Sequence, residues 1–461
     1  MGQEVGKIKK RLGAAVLILV VGVVVLVIGN ALLKERGAGV DDFIDLLDRD
    51  RAVVSAALNT IEANWHSGNA VMLVECLPLL QDTYDYQRVL NLLQQKTGRP
   101  FRFLDDWYDW IWQQEYKPHP DYADFKARLY EREDPHFPEY FAETASATIR
   151  LDEILWGGVV RDGIPPLKDP KMLSAADATY LDESNVVFGL EINGDARAYP
   201  KRILAWHEMF KDTVGGESLC GVYCTLCGSM IVYRTEFQGR HFELGTSGFL
   251  YRSNKLMYDH RTKSLWSTMA GEPVVGPLAG KTIKLERRDV VTTTWGEWRR
   301  RHPDTKVLSP DTGYRRDYGE GVAYADYFAT DALMFFVPLL DSRLKNKDEV
   351  LALRFDQFPD EQLAISAKFL DQHPVYHDRL GNQDFVVITD PSGANRVYET
   401  GGRRFKSWDG KMTVVDEENQ QWTLSESDLT GPSGRKLGRL PAHRAFWFGW
   451  HAAYPETRLV D

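Results

Sequence analysis

The chain has 461 residues, 43% hydrophobic and 26% charged, an ordinary globular composition that excludes a disordered protein. Its 56 Lys and Arg stand against 66 Asp and Glu, a formal charge of -10, so no basic reservoir exists for phosphate neutralisation and nucleic acid is not an expected partner. Four Cys are too few for a disulfide-built scaffold, yet three of them fall together at Cys220, Cys224 and Cys227.

Residues 12–33, LGAAVLILVVGVVVLVIGNALL, carry no charge. At 1.5 Å per residue a helix of that length crosses a hydrocarbon core of roughly 30 Å. Lys7, Lys9, Lys10 and Arg11 precede it, and a basic flank stays on the cytoplasmic side. The expectation is a single-pass protein of a bacterial inner membrane. Residues 1–36 form a cytoplasmic tail and transmembrane anchor, and the C-terminal domain is periplasmic or otherwise extracytoplasmic. A cleaved signal peptide is the competing reading, disfavoured because its apolar core usually runs about 7–15 residues. The membrane, reached through this one N-terminal helix, is the first expected partner, and a membrane-protein assembly partner is the second.

Residues 37–156 read as a helical adaptor. Phe43, Leu46 and Leu47, then Val53, Val54, Ala57 and Leu58, recur at helix spacing, and residues 71–80 and 86–93 suggest further helices. Trp107, Trp110 and Trp112 line either a groove or a helix contact, the contact being the simpler account. From Gly157 onward, turn residues and strand alternation take over. Asn193-Gly194 between extended runs predicts a tight hairpin, and KRILAWHEMF at 201–210 a short helix.

An internal echo organises the remainder. TWGEWRRRHPDTKVL at 294–308 resembles FWFGWHAAYPETRLV at 446–460, with Trp298 and Thr305 matching Trp450 and Thr457. Asp259 and Trp266 similarly match Asp416 and Trp422. The fold class expected is α+β: two related, pseudo-symmetric β-rich units behind the helical adaptor and the N-terminal membrane helix. The first unit is set at 157–345 and carries the Cys/His cluster; a second, degenerate unit is set at 346–461. The cysteines, His207 and Glu208 have no counterparts of the same chemistry in the second unit, which assigns a dominant site to the first.

Cys224-Thr225-Leu226-Cys227 can form a disulfide or place two soft thiolates on one metal. His207 supplies an imidazole and Cys220 a third sulfur, so the metal-ligand candidates are His207, Cys220, Cys224 and Cys227, and copper or zinc is the cofactor they suit. Cys224, Cys227 and Glu208 are the catalytic candidates, Glu208 as a base or a ligand-orienting group. The Cys spacing also equals that of iron–sulfur radical enzymes, a reading disfavoured by the absence of a barrel-like βα succession. A Ser247–His260–Asp259 hydrolase triad is disfavoured because Ser247 lacks a nucleophile elbow. No dinucleotide or P-loop glycine pattern is present.

IPPLKDP at 164–170, ARAYP at 196–200, WHE at 206–208, CTLCGSMIVY at 224–233 and SGFLYRSNKLMYDHRTKSLWS at 247–267 resemble the domain-of-unknown-function 3179 family. TGYRRDY at 312–318 extends the resemblance, which covers about residues 157–461. It implies no established activity, but gives priority to His207, Glu208, Cys224 and Cys227. The chain departs from the pattern by adding Cys220 and by carrying His260 where Arg is common. The function expected is a membrane-anchored extracytoplasmic metal- or thiol-dependent protein, an oxidoreductase or copper-handling accessory. The alternative is a non-enzymatic membrane-tethered interaction or assembly subunit.

Overall fold

The computed structural model describes residues 38–461. Two compact units divide the chain, with the boundary between Ala142 and Glu143.

The first unit is helical. Its longer helices are Arg51–Ala63, Thr83–Thr97, Leu104–Gln113 and Tyr122–Glu131. Asp50 and Asp82 start two of them by accepting from backbone N–H groups of the first turn, and Gly98, at φ 69, ends the second. Trp107 and Trp112 are buried, and Trp107 meets Trp110 edge-on at 5.9 Å. Trp107 and Trp112 therefore pack inside the helical unit and do not line an open groove.

The membrane helix expected at residues 12–33 lies outside the described residues. Among the described residues no helix is long and apolar enough to cross a membrane. The longest, Thr83–Thr97, has 15 residues, about 22 Å of rise against a hydrocarbon core of roughly 30 Å, and it carries Asp85, Arg88 and Lys96. The fold is corrected accordingly: α+β with several sheets is retained, and no membrane-spanning helix is found among the described residues. The single-pass topology, the inner-membrane and periplasmic placement and the membrane partner are corrected on the same finding: no helix among the described residues supports them.

The second unit runs one topology twice. In its first half, β1 (Val186–Ile192) and β2 (Asp195–Pro200) form a hairpin through Asn193-Gly194, both at positive φ. Helix α1 (Lys201–His207) follows, then an antiparallel meander of β3 (Met209–Val214), β4 (Glu217–Cys224) and β5 (Ser229–Arg234). A second meander contains β6 (Leu244–Tyr251), β7 (Asn254–Asp259), β8 (Leu265–Ser267) and β9 (Glu272–Val275). The chain then returns to the first sheet: β10 (Val291–Thr294) pairs antiparallel with β1, helix α2 (Trp295–Arg301) crosses, and β11 (Lys306–Leu308) pairs parallel with β2.

The second half repeats this order. β12 (Glu349–Leu353) and β13 (Leu363–Ser366) pair antiparallel, and helix α3 (Ala367–Gln372) follows. A three-stranded and a five-stranded antiparallel sheet come next. β14 (Ala442–Phe446) then pairs antiparallel with β12, helix α4 (Trp447–Ala453) crosses, and β15 (Arg458–Val460) pairs parallel with β13.

The repeated residues make repeated bonds. Trp298 Nε1 donates to Thr305 Oγ1 and Trp450 Nε1 to Thr457 Oγ1, both at 2.9 Å. Trp266 Nε1 donates to Asp259 at 3.1 Å and Trp422 Nε1 to Asp416 at 3.0 Å. Each indole is buried, so its single donor needs a partner inside the protein.

The faces of β4 show how the core is divided. Leu219 and Tyr223 join one cluster with Phe188 and Phe210, while Cys220, Val222 and Cys224 join another with Val350, Phe446 and Trp450 of the second half. Both faces are dry, which explains an almost uninterrupted apolar run.

Replacing Thr457 by Val strands the buried Trp450 donor. We expect a loss of about 1–3 kcal/mol in urea unfolding, with most of it recovered in Thr457→Ser, which keeps the acceptor oxygen.

Candidate functional site

Helix α1 ends at Glu208, which takes the left-handed conformation at φ 54, a position helices usually give to glycine. A non-glycine residue there costs about 1–3 kcal/mol and persists where its surroundings over-determine it. Glu208 N–H donates to Leu204 O at 2.6 Å, and Glu208 O accepts from Tyr223 N at 2.8 Å. The side chain is buried; its carboxylate pairs with Lys255 Nζ and accepts from Tyr324 OH at 3.0 Å. Burial, and after it the Glu208 charge, pushes the Tyr324 phenol well above its ordinary range.

Lys255 arrives on β7 through a second strained turn. Arg252 and Ser253, between β6 and β7, sit at φ 49 and 63, the paired positive angles that a two-residue hairpin demands. Arg252 is held by Glu153 and by a 2.9 Å bond to Ala452 O on α4, and Asn254 donates to Gly449 O at 3.0 Å.

The cysteine turn closes on that hairpin. Cys227 Sγ donates to Ser253 O at 3.1 Å, and Cys224 Sγ lies 4.0 Å from the same oxygen. The adjoining Cys227 thiol lowers the pKa of Cys224, assisted by the backbone N–H of Lys255, whereas burial raises that of Cys227 well above the ordinary thiol value. Phe446 N donates to Cys227 O at 2.7 Å, and Tyr327 OH to Leu226 O at 2.8 Å. Gly449 of α4 faces Cys227 so closely that a Cβ there would stand 2.9 Å from the cysteine Cβ.

Glu208, Lys255 and Tyr324 line a cavity of about 70 Å³ whose other walls include Leu226, Phe249, Leu250 and Phe335. A few convergent polar groups among apolar walls are the pattern of a small-molecule site.

The structure brings Glu208, Cys224 and Cys227 into one neighbourhood but leaves His207 and Cys220 out of it. His207 Nδ1 lies 2.9 Å from Pro165 O and Nε2 2.6 Å from Tyr318 OH, so both ring nitrogens are engaged. Burial also lowers its pKa. Cys220 sits four residues before Cys224 on one extended strand, about 13 Å away at 3.3 Å per residue, and its buried thiol is pushed up to about 12. Among the described residues no group of three or more His, Cys, Asp or Glu could hold a metal ion, and all four cysteines are free. The zinc or copper centre expected from His207, Cys220, Cys224 and Cys227 is thus not assembled. The metal- or thiol-dependent oxidoreductase and the copper-handling accessory are corrected on this ground, and the membrane-tethered subunit because no helix among the described residues could tether it.

The hydrolase triad is absent as well. Ser247 Oγ donates to Leu256 O at 2.6 Å, while Asp259 accepts from Thr262 and Trp266 and shapes its own turn. Sequence reading missed Lys255 and Tyr324. Lys255 had a signal: it is the lone cation on a six-residue strand buried along its whole length. Tyr324 lies in an irregular segment without periodicity and had none.

The chain belongs to the DUF3179 family, described as protein of unknown function, whose model matches residues 161–457. No curated protein and no solved structure matches it.

Two outcomes check this geometry. Lys255→Met leaves the Glu208 charge buried and unpaired, so unfolding stability falls by about 3–5 kcal/mol, and the double variant with Glu208→Gln regains a substantial part. Because all four cysteines are buried, a thiol reagent titrates less than one group per native chain and all of them in guanidinium.

Proposed function

We propose that this DUF3179 protein is an enzyme that carries out acid–base chemistry on a small, largely apolar molecule, with Glu208 as the proton-transfer group. The observation that carries the reading is a buried carboxylate on a strained backbone, oriented by Lys255 and Tyr324, at the wall of a cavity.

In this reading the substrate enters with its acidic X–H bond toward Glu208. The bond breaks, the proton passes to the carboxylate, and the electron pair stays on the substrate atom. Neutralising Glu208 releases the Lys255 ammonium and the Tyr324 hydroxyl to meet the new negative charge. The apolar walls exclude water and strengthen both interactions. Cys224 and Cys227 act through Lys255 as positioning residues: they tie the turn of the β6–β7 hairpin to the β4–β5 loop.

The test compares the full chain with its Glu208→Gln variant on a mixture of small metabolites followed by mass spectrometry. At least one compound is expected to be consumed or exchange deuterium from solvent with the native protein, and at least 100-fold more slowly with the variant. No change with the native protein, or equal change with the variant, overturns the proposal.

A further inference from the structure

On the opposite face of β4 a second cavity, of about 130 Å³, lies at the junction of the two halves. Val186, Phe188, Lys201 and Tyr223 line it from the first half, and Glu349, Arg444 and Phe446 from the second. The Tyr223 ring is buried, at 1% exposure, and its hydroxyl has no hydrogen-bond partner. Glu349, another wall of the same cavity, is the charge that bears most on this phenol. A buried hydroxyl left unpaired is an expensive arrangement, and a ligand that accepts from it relieves the cost.

The charges around the cavity specify that ligand. Arg444 is committed: it pairs with Glu349 at 3.0 Å and bonds Asn395 and Gly393. Lys201 has no carboxylate partner among the described residues, and its ammonium rests 4.9 Å from the centre of the Phe328 ring. One uncompensated positive charge, one idle phenol donor and the apolar walls of Val186, Phe188 and Phe446 call for one negative charge joined to a short hydrocarbon. We infer that this cavity binds a small monocarboxylic acid, its carboxylate on Lys201 and Tyr223 and its tail against Phe188 and Phe446. The volume admits a short-chain acid and is below that of sites for drug-sized ligands, which begin at about 300 Å³. The cavity shares no lining residue with the Glu208 cavity and stands whether or not that cavity is catalytic, while the Glu208 charge also bears on the Tyr223 phenol.

Calorimetric titration of the full chain with sodium butyrate tests the inference, with inorganic phosphate and butylammonium as comparison probes. Butyrate is expected to bind at millimolar concentration or below and more tightly than either comparison compound. Lys201→Met should weaken it at least tenfold, Tyr223→Phe at least threefold, and Lys201→Arg should retain it. Met334→Ala, in the wall of the first cavity, should leave butyrate affinity unchanged, which separates this site from that one. Far-UV circular dichroism establishes that each variant is folded, and Lys201→Arg supplies the reading if Tyr223→Phe does not fold. Failure of butyrate to bind, phosphate or butylammonium binding at least as tightly as butyrate, undiminished affinity in folded Lys201→Met, or loss of affinity in Met334→Ala overturns it.

Discussion

Two opposite charges withdrawn from water, Glu208 and Lys255, set the terms for the structure around them. Burying an ion costs several kcal/mol, and mutual attraction returns it only when geometry is held and the remaining polar atoms are satisfied. The holding is visible in the backbone. Glu208 and the Arg252-Ser253 pair all occupy left-handed conformations without glycine. Each is locked by bonds made elsewhere: Leu204 and Tyr223 for the first turn, Glu153 and Ala452 for the second. Strain at two turns and a buried ion pair between them make one arrangement.

The second half of the β unit takes part without supplying a charged group to that cavity. Its topology repeats that of the first half, down to the indole-to-threonine bond behind α2 and α4. What it contributes to the Glu208 site is backbone and shape: a carbonyl for Arg252, another for Asn254, an N–H for Cys227 O, and the bare face of Gly449. Duplication here separates a half that bears reactive side chains from one that positions them.

How much of this was legible depends on how local the determinant is. The Asn193-Gly194 hairpin needs only two residues at positive φ, and both are residues that tolerate it. The echo between the halves is legible because a buried indole must keep its acceptor, so Trp and its Thr or Asp partner survive together. The metal reading went astray because sequence spacing is not distance. On an extended strand four positions carry Cys220 away from Cys224, whereas a hairpin brings Ser253 O onto both Cys224 and Cys227. His207 shows the same difficulty: its two partners are Pro165 and Tyr318, 42 and 111 residues distant. Tyr324 reaches Glu208 across 116 residues from an irregular segment, with no periodicity to announce it. The apolar stretch at 12–33 was the plainest signal in the chain, and it lies outside the described residues.

Gly449 ties the inheritance of the two halves together. It lies on a helix that gives no side chain to the Glu208 cavity, yet its missing side chain is the imprint of Cys227, which belongs to the other half of the repeat. Duplicated units ordinarily drift apart as each accumulates its own substitutions. Here the quieter copy is not at liberty to drift at this point: position 449 can acquire a side chain only in a chain whose position 227 has surrendered its own.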